Sequence, residues 1–320
     1  MINDAARLTE RLEHRSGPVL LDGGLATELE RNGYELADAL WSARILCDEP
    51  DAICRVHRAY VDAGADCIVS ASYQASVPGL LLAGYSEEES EELLRLSVTL
   101  ARQAAGEREP VPGNQAVVAA GIGPYGAWLA DGSEYSGDYG VGSETLRGFH
   151  QPRWNLLAEE SSLMACETIP SLQEAEVLIE LLRESPGVSA WISFSCRDGT
   201  LVSDGTPLAE CAALCAAEER IIAVGVNCTP PRFIDSLVEE ARRGAPDLPV
   251  VVYPNSGEVW NPQARGWTGS AEAIDFARAA VGWYERGAEI IGGCCRTHPG
   301  HIRELARVFP DRSGDRRPAV

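Results

Sequence analysis

Eight short apolar runs recur along the chain, and each gives way to turn-forming or polar residues and then to a helical pattern. They are Pro18–Leu21, Cys67–Ser70, Val117–Ala120, Leu163–Cys166, Ala190–Phe194, Ile222–Val226, Pro249–Tyr253 and Ile290–Gly293. None alternates apolar with polar residues, which suits strands buried on both faces of a parallel sheet. Helical patterns fall between the runs. Ser86–Ala105 has a cap residue, acids in its first turns, and Leu93, Leu94, Leu96 and Leu100 as its apolar face. Leu172–Leu182, Ala271–Arg286 and Pro299–Phe309 read as helices too.

Eight strands alternating with helices imply eight βαβ units, which close into a (β/α)8 TIM barrel of about 250 residues plus insertions. The chain has 320 residues. The stretch Gly121–Gln151, rich in Gly, Tyr, Ser and Asp, absorbs part of the excess as a long loop over the catalytic face. A doubly wound open sheet is the competing fold. Its usual fingerprint is missing, because DGGLATELE after the first strand is not GxGxxG, and no P-loop occurs. No boundary or repeat divides the chain, so residues 1–320 read as a single domain with a frayed tail after about 310.

Charge narrows the partners. Twenty-seven basic against 48 acidic residues leave −21, a surface that repels nucleic acid and anionic lipid. No stretch approaches the roughly 18 apolar residues of a membrane helix, and MINDAARLTERLEHR lacks the apolar centre of a secretory signal. The expectation is a cytoplasmic protein acting on small molecules. Its ten cysteines would then be reduced, and would serve as packing, metal ligands or catalytic groups.

Three of them stand out by position. Cys228 ends IIAVGVNC just past the sixth run, and Cys294-Cys295 ends EIIGGCC just past the eighth. In a barrel these are the strand ends that carry chemistry, and only the seventh strand lies between them. Three thiolates suit Zn²⁺, and three protein ligands with one open position mark a catalytic rather than a structural zinc. Gly292 and Gly293 would let the backbone bend so that both cysteines face one ion. Burial at strand ends and a vicinal disulfide are the competing readings. A zinc with three thiolates carries a formal −1, so it is better suited to ionising a soft thiol than to polarising a carbonyl. The implied reaction is attack by a thiolate on an electrophilic carbon.

LLDGGLATELE, SASYQASVPG, GPYGAWLADGSEYSGDYG, ACETIPS, VGVNCTPP, VVYPNSGEVW and IIGGCCRT together resemble the homocysteine S-methyltransferase family, in its S-methylmethionine- or S-adenosylmethionine-dependent branch. The resemblance runs from about Val19 to Phe309. It implies a zinc-dependent (β/α)8 barrel that moves a methyl group from a sulfonium donor to homocysteine, forming methionine. It implies that Cys228, Cys294 and Cys295 hold the zinc and form the catalytic centre. It implies that Asp22 and Glu167 hold the amino-acid substrate and that Asn227 lies beside the metal with them. The run LAEESSLMACETIP is more acidic and less glycine-rich than the family's usual one.

Related activities are expected to differ in acceptor or donor. Selenocysteine or another small thiol or selenol could replace homocysteine. Betaine as donor calls for an aromatic box, for which Trp128, Tyr135 and Tyr139 are at hand. A zinc-binding thiol redox switch without methyl transfer is the reading from a different class. Cys211 and Cys215, four apart on one helix face, read as core, as do Cys47, Cys54, Cys67 and Cys166. Cys196 follows the fifth strand with no role assigned, and His298, a fourth zinc ligand only if the chain folds back sharply, reads as a helix cap or a solvent-exposed residue.

Overall fold

The computed structural model describes residues 3–36, 42–106, 115–261, 266–268 and 272–310. Eight parallel strands run through it: β1 (Val19–Leu20), β2 (Cys67–Val69), β3 (Val117–Ile122), β4 (Leu163–Ile169), β5 (Ser189–Phe194), β6 (Ile221–Asn227), β7 (Val250–Tyr253) and β8 (Ala288–Ile291). Their order is β1-β8-β7-β6-β5-β4-β3-β2. Asp66 N–H donates to the Leu20 carbonyl at 2.7 Å and Asp22 N–H to that of Cys67 at 3.1 Å, which joins β2 back to β1. The sheet is therefore a barrel, and each of the eight apolar runs lies on one of its strands.

Burial on both faces explains why those runs do not alternate. Val19, Leu21, Val117, Ala119, Leu163, Ala165 and Val251 point inward, two residues apart on each strand. Their neighbours Leu20, Val118, Ala120, Met164 and Val252 point outward and pack under the helices. Trp191 fills the barrel interior because the residues in register beside it, Ala165 on β4 and Ala223 on β6, are small. The helix Asp4–His14 closes the N-terminal end by inserting Ala5 and Leu8 into the same interior cluster. Buried Asp66 ties that end together: it pairs with Arg11 and Arg15 and accepts Leu20 N–H at 2.9 Å.

The expected helices form at Glu87–Gly106, Leu172–Arg183, Ala273–Glu285 and Pro299–Val308. Ser86 caps the first through a reciprocal pair of bonds with Glu89, at 3.2 and 2.7 Å. The acidic Glu159 and Glu160 before β4 both pair with Arg95, at 2.8 and 2.9 Å.

Two features depart from expectation. Gly121–Gln151 is not one long loop: it holds the helix Tyr125–Leu129 and the turn Ser133–Tyr135, and a further helix, Ser143–Glu160, starts inside it. Pro152 within that helix breaks the local signal, while burial of Leu146, Phe149, Trp154 and Leu157 fixes the helix from outside. A small antiparallel ribbon, Val259–Asn261 with Gly266–Thr268, follows β7 and was not expected. The tail expected to fray after about 310 falls on residues 311–320, outside the described ones. Among the described residues no helix is long and apolar enough to cross a membrane.

Candidate active site

Four strand ends supply the site. Asp22 follows β1, Glu167 lies near the end of β4, Asn227 is the last residue of β6 with Cys228 next, and Cys294-Cys295 follow β8. All six line one cavity of about 580 Å³ at the C-terminal face of the barrel. A second cleft, of about 450 Å³, lies at the other end beside the helix Asp4–His14 and contains none of them.

The chain leaving β7 positions the cysteines. Cys228 N–H donates to the Tyr253 carbonyl at 3.2 Å and Cys294 N–H to that of Pro254 at 2.8 Å, while Ser256 N–H reaches the Cys295 carbonyl at 3.1 Å. Cys228 has φ +48°, in the left-handed region, and this turns its side chain away from the strand path. Gly292 and Gly293 matter for room, not for left-handed backbone. A Cβ at 292 would sit 2.5 Å from that of Leu21, and one at 293 would sit 2.3 Å from Thr297 Oγ1. The left-handed backbone at this site is at Cys228 and at Arg296 (φ +65°), the residue after Cys295.

The three sulfurs lie within 4.8 Å of one another, the one group of His, Cys, Asp and Glu among the described residues close enough to share a metal. Cys228 Sγ and Cys295 Sγ are 3.5 Å apart. Tetrahedral Zn–S bonds of about 2.3 Å require sulfurs about 3.8 Å apart, so the donor set fits zinc in softness and spacing. Hydrogen bonds from Cys228 and Cys294 draw the Cys295 thiol well below its ordinary range, while the same contacts push Cys294 up. One thiolate forms readily here, and further thiolates beside it need a cation. Tyr135 Oη is 3.1 Å from Cys228 Sγ, and Asn227 Nδ2 is 3.9 Å from Cys294 Sγ.

The two carboxyls line the same cavity. Asp22 Oδ2 accepts Val69 N–H at 2.9 Å, so it caps no helix. Burial pushes Asp22 up to about 7. Burial, then the nearby Asp22, push Glu167 up to about 8, although a hydrogen bond from Tyr253 works the other way. Gly121 leaves room for Glu167, since a Cβ there would lie 3.2 Å from Oε1. Two desolvated carboxyls facing one cavity favour a cation between them.

Several supporting residues were not legible beforehand. Thr168, beside Glu167, adopts φ +59°, rare for a β-branched residue, and is held there by Asn227. Buried Glu174 accepts from His150 Nε2 at 2.8 Å, Tyr125 N–H at 2.6 Å and Tyr139 Oη at 3.0 Å. Buried Arg153 continues the network to His150 Nδ1 at 3.0 Å and to the carbonyls of Tyr73 and Gly123 at 3.3 and 2.7 Å. Together they fasten the loops after β2 and β3 over the cavity. The remaining cysteines lie outside this metal-capable group: Cys67, Cys166, Cys196, Cys211 and Cys215 are buried, and Cys47 and Cys54 are half-buried. His298 caps the helix Pro299–Val308, accepting Gly300 N–H at 3.1 Å.

An eight-stranded barrel whose C-terminal face gathers three thiols and two carboxyls in one cavity has the layout of a barrel enzyme. The chain belongs to the homocysteine S-methyltransferase family, whose model matches residues 19–309. It is 48% identical to homocysteine S-methyltransferase YbgG of Bacillus subtilis, with 90% of this chain and 93% of that protein covered. It is 44% identical to a selenocysteine Se-methyltransferase of Brassica oleracea, with 95% and 92% covered. The metallated form of the Escherichia coli homocysteine methyltransferase MmuM superposes with a TM-score of 0.82 at 40% identity, covering 96% of this chain and all of that one. Family membership supports methyl transfer to homocysteine as the activity.

Proposed function

We propose that the protein forms methionine by moving a methyl group from a sulfonium donor, S-methylmethionine or S-adenosylmethionine, to the sulfur of homocysteine. Cys228, Cys294 and Cys295 would hold one zinc ion, and residues 1–320 would act as one domain around it. Zinc bound there would favour the ionised form of an incoming thiol at neutral pH. Asp22 and Glu167 bind the acceptor's ammonium by charge-assisted hydrogen bonds. Asn227 keeps Thr168, and so Glu167, in place from across the barrel. The acceptor thiolate supplies the electron pair for the new S–CH₃ bond. The pair of the breaking bond stays on the donor sulfur, which leaves as a neutral thioether. The cavity contributes by holding the two sulfurs and the methyl carbon in line.

The observation that carries this reading is the meeting of three sulfurs and two desolvated carboxyls in one cavity. The same cavity would accept a selenol, which a 44%-identical Se-methyltransferase makes the second reading. A site built on three reduced cysteines would work in a reducing, cytoplasmic setting. The deciding experiment measures zinc per chain and then methionine formation with each donor, with selenocysteine as competing acceptor. One zinc per chain and turnover with either donor are expected, and the ratio of kcat/KM values names the donor. Protein purified reduced and without chelator that holds no zinc and turns over neither donor would sink the reading.

A further inference from the structure

Glu134 lies on the turn Ser133–Tyr135, in the loop after β3. Its backbone is fixed on two sides. Its carbonyl accepts Ser195 Oγ at 2.9 Å. Gly126 packs so closely that a Cβ there would lie 2.5 Å from Glu134 N and 2.9 Å from its Cα. The side chain lines the same cavity as the three sulfurs, and its charge bears on both Cys228 and Cys295. Its Oε2 is shielded from solvent and has no hydrogen-bond partner among the described residues. Arg296, the cationic side chain lining this cavity, is turned to Glu258 at 3.0 Å.

A carboxylate oxygen shielded without a partner is costly; burial first, then the nearby Cys228 and Asp131, push the Glu134 carboxyl up, although a hydrogen bond from its own backbone works the other way. Asp22 and Glu167 meet an acceptor's ammonium, which leaves Glu134 for a second cation. An ammonium needs several acceptors for its N–H groups, whereas a sulfonium has no N–H and needs only nearby negative charge and polarisable surface. Glu134 with the adjoining ring of Tyr135 offers that combination.

We propose that Glu134 receives the positively charged sulfur of the methyl donor, facing Cys228, Cys294 and Cys295 across the cavity. This rests on the sulfonium reading and adds the residue that selects for the charge. The positive charge on the donor sulfur falls as the methyl group leaves. Attraction to Glu134 is therefore strongest before reaction and weaker in the transition state. Such a group lowers the donor KM and does not raise kcat.

The test compares wild type with E134Q and E134D by steady-state kinetics. Calorimetry with S-methylmethionine and with methionine, its uncharged thioether counterpart, supplies a readout without turnover. E134Q should raise the donor KM tenfold or more, with kcat equal to or above wild type and with homocysteine KM and zinc content unchanged. E134D should recover part of the donor KM. The wild-type preference for sulfonium over thioether should fall at least tenfold in E134Q. A donor KM within twofold of wild type, a preserved preference, or a loss of kcat at constant donor KM would each overturn the proposal while leaving the methyl-transfer reading standing. Wild type that turns over neither sulfonium, yet prefers S-methylmethionine to methionine through Glu134, would overturn the reading of function and keep this assignment.

Discussion

Asn227 grips Thr168 at two points across the barrel: its Oδ1 accepts the Thr168 N–H at 2.6 Å and its Nδ2 donates to Thr168 Oγ1 at 2.8 Å. The two residues sit on β6 and β4, with β5 between them. The grip holds Thr168 at φ +59° and thereby sets the peptide that follows Glu167. Asn227→Ala would leave a buried N–H unpaired, at a cost of about 1–3 kcal/mol, and would let Thr168 relax. Urea unfolding should show that loss. Kinetics should show a homocysteine KM raised about tenfold, the equivalent of roughly 1.4 kcal/mol of lost binding. Stability and KM both equal to wild type would mean that the grip does not position Glu167.

The metal assignment makes three parallel predictions with internal controls. Cys228→Ser, Cys294→Ser and Cys295→Ser should each lose zinc and abolish turnover, because a hydroxyl stays protonated where a thiol ionises. Cys211→Ser and Cys215→Ser alter buried core sulfurs and should keep zinc. Elemental analysis beside activity separates the two groups. Any of the first three variants that retained near-wild-type zinc and activity would remove that cysteine from the ligand set.

Glu167→Gln keeps the side-chain shape but removes the charge that would pair with the acceptor's ammonium. Hydrogen bonds to charged groups are worth about 1.5–3 kcal/mol, so the homocysteine KM should rise on the order of 10- to 100-fold. The donor KM and the zinc content should stay put, since Glu167 belongs to neither site. Initial-rate measurements with each substrate varied in turn would decide, and an unchanged homocysteine KM in E167Q would remove Glu167 from the acceptor site.

The barrel was legible because burial on both faces leaves an unbroken apolar run, such as Ala190–Phe194, at each strand. Cys228 and Cys294-Cys295 were legible because strand ends are marked by those runs and three thiols in one place have few other uses. Glu134 was not, because nothing local separates a cavity acid from a surface acid in a loop rich in Gly, Ser and Asp. The strain at Thr168 and Cys228 was hidden as well: it is imposed by partners far along the chain, Asn227 for one and the Tyr253 carbonyl for the other. The cluster of Glu174, His150 and Arg153 lies on helices whose polar residues resemble ordinary exposed ones until packing buries them.

His57 offers a test of stability away from the cavity. It is fully buried on the helix Pro50–Ala63, and neither ring nitrogen has a hydrogen-bond partner among the described residues. Burial lowers its pKa from 6.5 to about 4. Above pH 6.5 the ring is neutral in both folded and unfolded chains and adds no pH dependence. Between 6.5 and 4 the unfolded chain takes up a proton that the folded one refuses, so stability falls as the pH falls. Below 4 both states carry the proton and the loss stops growing, at about 3 kcal/mol in all. His57→Leu removes this titration and the unpaired ring nitrogens together. Between pH 7.5 and 5, urea unfolding should therefore show wild type losing about 2 kcal/mol more than the variant. Stability curves that run parallel over that range would show that His57 is not held neutral, and that its burial is relieved when it takes up a proton.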